Sequence, residues 1–232
     1  MKCDEVMRQL EAWGSENARK INARHGAGEN QFGVNLSNLR TLAKTLKTNH
    51  DLAMELWATG NVEAMLLATM IMRPKALSEA EVDAMMHGVS YFKIADWFGD
   101  NVVKKVPFKE ALRGRWMNAD HEYVGRVGWS LTTEKVVKEA AEGLDLDQVV
   151  GQIEAEMKAA PYRKQEAMNH CLVEIAIRHP ALRARCIDIG TRLEVFKDYP
   201  VPKGCTSPYA PVWIAEMVGR GASGAIGRKT AG

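Results

Sequence analysis

GVNLSNLRTLAKTLKTNHDLAMELWATGNVEAMLLATMI, residues 33–71, is the stretch that decides the fold class. Leu36, Leu39, Ala43 and Leu46 recur at i, i+3, i+7 and i+10, so they share one face of a helix. Further on, Asn61 to Met72 is apolar on almost every side through Val62, Met65, Leu66, Leu67, Ile71 and Met72. A helix without a polar face must be covered all round, so this one is expected at the centre of a core. The same period returns far downstream, where Met168, Cys171, Leu172 and Ile175 form an i, i+3, i+4, i+7 stripe. No segment shows four or more residues of clean apolar/polar alternation bounded by turn signals, so an all-α chain is expected.

The punctuation agrees. Ser78 with Glu81 has capping-box spacing. Pro107, Pro161 and Pro180 stand where first helical turns would begin, and Asp145 or Asp147 can cap the helix running towards Met157. Gly60, Gly88 and Gly143 fall just after periodic runs, as helix C-caps do. About eleven helices are expected, joined by short links that make neighbours antiparallel. A helical pair every 35–45 residues is roughly the size of a HEAT-type unit, so the architecture expected is an α-α superhelix of stacked helical hairpins.

No Pro/Ser-rich linker divides the middle, and residues 1–196 are expected as one helical-repeat domain. From Lys197 to Ile214 the chain reads KDYPVPKGCTSPYAPVWI, and its four prolines predict an extended strap packed down by Tyr199, Tyr209 and Trp213. Residues 215–232, rich in glycine, are expected to be a flexible tail.

Composition narrows the function. No run of about eighteen apolar residues occurs, which excludes a spanning helix, and MKCDEVMRQLEAW is too acidic and polar for a signal peptide. Cys3, Cys171, Cys186 and Cys205 form no CxxC pair and have no histidine at ligand spacing, so neither zinc nor a disulfide framework is expected. A reducing cytoplasm fits. Gly219, Gly221 and Gly224 spell GxGxxG, but no strand precedes them and the chain ends too soon for a βαβ unit. Walker A, HExxH and nucleophile-elbow motifs are absent.

The formal net charge is +2, which names no partner. Its distribution says more. Residues 101–130 carry six basic against three acidic side chains, and residues 134–160 carry three basic against seven acidic. On a superhelix, a basic stretch can line a concave face that seats a phosphate backbone, or it can be an ordinary solvated surface.

Tyr91-Phe92-Lys93-Ile94-Ala95-Asp96-Trp97-Phe98 places an aspartate among four aromatic residues. Phe92 and Asp96 stand at i, i+4 on one helical face. Such a carboxylate can stabilise a cation that forms in a reaction; it can equally be a structural ion pair or a cap on a neighbouring helix. Trp97, Phe98, Trp116 and Trp129 read as core.

Three stretches resemble the AlkD-like DNA alkylation repair proteins, HEAT-like-repeat DNA glycosylases. They are residues 33–71 as quoted, FKIAD at Phe92 to Asp96, and YVGRVGWSL at Tyr123 to Leu131. The resemblance covers about residues 30–200 and implies a DNA glycosylase acting on cationic N3- and N7-alkylated purines, without a cofactor or metal. It implies a monomer that binds double-stranded DNA, alkylated or otherwise distorted, and no membrane. It puts the family's catalytic aspartate on Asp96 and its DNA-contacting arginine on Arg126. One active-site tryptophan falls on Phe92, and the other on His170, which is not an aromatic of that kind. Arg126 lies opposite the Val124, Val127, Leu131 stripe, which predicts exposure, with Tyr123 one turn before it. His170 lies four residues from both Glu166 and Glu174, the spacing of a local charge pair. Lys104, Lys105, Arg163 and Lys164 are further phosphate-contact candidates. Three readings follow: the glycosylase, a non-enzymatic DNA-binding module of the same fold, and a helical scaffold without a nucleic-acid role.

Overall fold

The computed structural model describes residues 1–229, and they hold thirteen α-helices and no strand. The chain divides into two compact units, Met1–Trp116 and Met117–Gly232. The division falls inside a helix, Lys109–Met117, rather than in a loop, which is why no linker composition announces it. Among the described residues no helix is long and apolar enough to cross a membrane.

The first unit runs α1 (Cys3–Ala12), α2 (Glu16–Arg24), α3 (Leu36–Leu46), α4 (His50–Ala58), α5 (Val62–Ile71), α6 (Glu79–His87), α7 (Phe92–Asn101) and α8 (Lys109–Met117). Short 3-10 turns follow α5 and α7. Helix α5 is the centre, packed against α3, α4 and α7, and every residue from Asn61 to Thr69 is buried. Burying its Leu66, Leu67 and Ile71 side chains contributes about 2 kcal/mol each. The capping box at Ser78 and Glu81 is formed.

One buried residue in α5 is charged. Glu63, 1% exposed, accepts hydrogen bonds from the backbone N–H groups of Phe32 (2.8 Å), Gly33 (3.0 Å) and Val34 (3.3 Å). The loop before α3 is thus wrapped around one carboxylate. Gly33 permits the wrap: its φ is +79°, and a Cβ there would lie 2.4 Å from the Ser15 carbonyl oxygen.

The second unit runs α9 (Glu122–Lys138), α10 (Leu146–Glu156), α11 (Tyr162–Arg178), α12 (Pro180–Leu193) and α13 (Ala210–Lys229). Helix α11 is its centre and packs against α9, α10, α12 and α13. The stripe of Met168, Cys171, Leu172 and Ile175 is fully buried, with Trp129, Val150, Ile153 and Ile189 around it. Asp145 caps α10, its side chain accepting from the Gln148 backbone N–H. Phe98, Trp116 and Trp129 are core residues as expected.

The C-terminal expectations need correction. The Pro-rich segment leaves helical structure only as far as Tyr209, and α13 starts at Ala210. Pro211 sits in the first turn of α13, where a missing N–H costs nothing, so four prolines did not exclude a helix there. Of the tail expected to be flexible, residues 215–229 lie on α13, and residues 230–232 lie outside the described residues.

Candidate nucleic-acid interface

In the first unit, α7 turns Tyr91, Ile94, Ala95 and Phe98 into the core and leaves Phe92, Lys93, Asp96 and Trp97 half-buried. Asp96 therefore stands at the edge of the apolar packing, one turn after Phe92. The Phe92 ring meets Tyr91 edge-on (centroids 5.1 Å apart, 78°) and His25 at the end of α2 (6.4 Å, 68°). Lys93 donates from Nζ to Asn22 Oδ1 at 3.1 Å, a second tie between α7 and α2. Trp97 is not core: it is half-buried, and the Arg40 guanidinium of α3 lies 5.4 Å from its ring centroid. Arg40 escapes a sequence reading because it sits on the polar side of an ordinary amphipathic helix. Beyond α7, Lys104 pairs with Asp100 at 2.7 Å, and Lys105 is exposed.

In the second unit, α9 and α11 bring four of the predicted residues together. Arg126 is not exposed as expected; its side chain is 16% exposed and is held in place. Its Nη1 donates to Glu166 Oε2 (2.8 Å) and to the Arg163 carbonyl oxygen (3.2 Å). Arg163 Nη1 reaches the same carboxylate at 2.9 and 3.0 Å, so two guanidinium groups meet on Glu166. The Arg163 backbone N–H donates to Glu122 Oε1 at 2.8 Å. Tyr123 lies beside this cluster; burial and Glu122 push its phenol up, against the nearby charges of Arg163 and Arg126.

Of the two glutamates at its spacing, His170 lies beside Glu174, with Nε2 3.6 Å from Oε1, rather than Glu166. It also lies flat on Trp213 of α13, centroids 5.4 Å apart and planes 6° from parallel. The ring is half-exposed at its edge and covered on the indole face. That burial lowers its pKa, as does the charge of Arg126, while Glu174 opposes the shift. Trp213 was legible only as a residue that packs the strap down; its partner could not be read from sequence.

Lys164, expected as a phosphate contact, is turned inward instead. Its side chain is 6% exposed, and Nζ donates to the Ala119 carbonyl oxygen at 3.0 Å with Glu156 at 3.7 Å. The stem lies on Gly125, where a Cβ would be 2.7 Å from Lys164 Cδ.

Residues 6–213 match the DNA alkylation repair enzymes. The chain belongs to that family. A solved structure described as "a new family of proteins related to the HEAT-like repeat DNA glycosylases with affinity for branched DNA structures" is similar to this alkylation-repair-family chain, with a TM-score of 0.78 and 26% identity over 95% of each chain. A search of the curated proteins returned no match. The all-α, HEAT-like repeat fold expected from the helical period is therefore the fold of the family protein.

Proposed function

We propose that this protein is a DNA glycosylase that hydrolyses the N-glycosidic bond of cationic N3- and N7-alkylated purines in double-stranded DNA, with Asp96 as its catalytic carboxylate. The observation that carries the reading is the placement of Asp96. In a chain of the DNA alkylation repair enzyme family, it stands half-buried on α7, one turn after the Phe92 ring and next to Trp97. An alkylated purine is already cationic, so it departs with the bonding electrons and needs no general acid. The sugar left behind is oxocarbenium-like, and a nearby carboxylate lowers the cost of that charge. Water then adds at the anomeric carbon and loses a proton to Asp96 or to solvent. Phe92 packs on the deoxyribose. Arg126 holds a phosphate, and Tyr123, Arg163, Lys104 and Lys105 are further backbone contacts.

A second reading, a DNA-binding module without base excision, has its own support. His170 is stacked on Trp213 and lies beside Glu174, and the structural relative is described by its affinity for branched DNA. Methylated duplex DNA separates the two. Release of free 3-methyladenine or 7-methylguanine that is lost in Asp96→Asn supports the glycosylase. Absent release, with binding intact and lost in Arg126→Ala, supports the module. Absence of salt-dependent DNA binding refutes both.

A further inference from the structure

Tyr162, Glu166 and His170 follow one another at four-residue intervals along α11 and share one side of the helix. Glu166 in the middle holds Arg126 and Arg163. The chemistry above uses this middle and leaves the Tyr162 end unexplained. There Tyr162 and Tyr199 are 43% and 46% exposed, an unusual display for two neighbouring rings. Phe196 stands between them, edge-to-face with Tyr162 (5.9 Å, 87°) and with Tyr199 (5.9 Å, 89°). Its backbone is in the left-handed region, with φ of 60°, a conformation that a bulky residue keeps only where its surroundings hold it. Burial, with the neighbouring Tyr199 phenol, pushes the Tyr162 phenol up to about 12. The Arg163 guanidinium lies 5.1 Å from the Tyr162 ring centroid. The patch is thus rigid, aromatic, and continuous with the arginine pair.

We propose that Tyr162, Phe196 and Tyr199 form a stacking platform for an unpaired base at a DNA branch, with Arg163 holding the strand that carries it. The proposal rests on the DNA-binding reading above and names the part of the DNA that this end of α11 meets. Paired bases in a duplex are already stacked and offer no face to a tyrosine, whereas unpaired bases do. Aromatic rings interleaved with guanidinium groups are the chemistry that binds single strands. The helical rise puts Tyr162 about 12 Å from His170. At about 3.4 Å per base step, an unpaired strand about four to five bases long spans the two ring sites with Arg126 and Arg163 between them.

The test uses the full chain and two DNAs of matched length, an intact duplex and a three-way junction with 2-aminopurine at the branch, in fluorescence anisotropy titrations. Stacking on the platform quenches 2-aminopurine on binding. Tyr162→Ala and Tyr199→Ala each weaken junction binding about tenfold, the loss of one base–ring stack, and remove the quench. Both leave duplex binding unchanged, and Tyr162→Phe, which keeps the ring, retains junction affinity. No quench in the unaltered protein overturns the platform, as does junction affinity untouched by both alanine variants or an equal loss on both DNAs. An unaltered protein that binds neither DNA instead overturns the DNA-binding reading itself.

Discussion

Removing the Glu63 carboxylate gives the sharpest test of how the first unit is held. Three backbone N–H groups, from Phe32, Gly33 and Val34, converge on this carboxylate at 2.8, 3.0 and 3.3 Å, and the side chain is buried. A buried donor stripped of its acceptor costs about 1–3 kcal/mol, and Glu63→Ala strips three. The carboxylate also lies in the first turn of α5, where the helix dipole adds a few tenths of a kcal/mol. Partial rewetting of the loop returns some of this, so the expected loss is about 3–5 kcal/mol. Glu63→Gln keeps one oxygen for Gly33 and Val34 but turns an NH2 against the Phe32 N–H, and about 2 kcal/mol is expected. Urea unfolding monitored by circular dichroism gives both values, and at about 2–4 °C per kcal/mol the alanine variant melts about 10 °C early. The damage should also reach α7, because the anchored loop follows α2, whose His25 and Asn22 touch Phe92 and Lys93. An alanine variant within about 1 kcal/mol of the unaltered protein, or a glutamine variant less stable than alanine, would refute the carboxylate's role as the anchor.

His170 should titrate below the ordinary histidine value, because the indole face of Trp213 excludes water from it. Since the folded pKa lies below the unfolded one, the neutral ring's contribution to stability is whole above about pH 6.5 and is lost as the pH falls through the folded value. NMR of the ring protons checks this, and Trp213→Ala should move the titration back up. Gly125→Ala should cost about 1–3 kcal/mol in thermal unfolding, since its Cβ would displace the Lys164 stem from a contact of 2.7 Å. Lys164→Ala should lower stability yet leave the salt dependence of DNA binding unchanged, whereas Lys105→Ala should reduce that slope by about 0.9 for each phosphate left without its lysine. Equal slopes for Lys105→Ala and the unaltered protein would remove Lys105 from the interface.

The fold was legible because its signal is periodic. Met168, Cys171, Leu172 and Ile175 on α11 announce their buried face by spacing alone, whereas on α3 the stripe of Leu36, Leu39, Ala43 and Leu46 finds the right side of the helix but only Leu39 of it is buried, beside Leu42. The division at Trp116 was not legible, because it runs through a helix and alters no composition. Helix α13 was hidden by the prolines before it, since Pro211 in a first turn looks the same in sequence as Pro211 in a strap. Candidate site residues were legible as positions but not as partners. Lys164 and Lys105 are both lysines beside apolar stripes, and only packing decides that one ends on the Ala119 carbonyl and the other in water.

The same difficulty explains why the arginine cluster looked like a solvated face. Helix α11 buries one side among α9, α10, α12 and α13, so its period reports core packing and nothing about the opposite side. What makes that opposite side distinctive arrives from elsewhere in the chain. Arg126 comes from α9, Trp213 from α13, and Phe196 and Tyr199 from the segment after α12. Glu166 taken alone is an ordinary surface glutamate. Once Arg126 and Arg163 converge on it, its carboxylate fixes two guanidinium groups that would otherwise lose side-chain entropy on meeting a phosphate. Glu166→Gln should therefore weaken DNA binding in the unaltered background but have no further effect once Arg126 and Arg163 are both alanine. An additional loss in that triple variant would mean that Glu166 supports the fold rather than the grip on DNA.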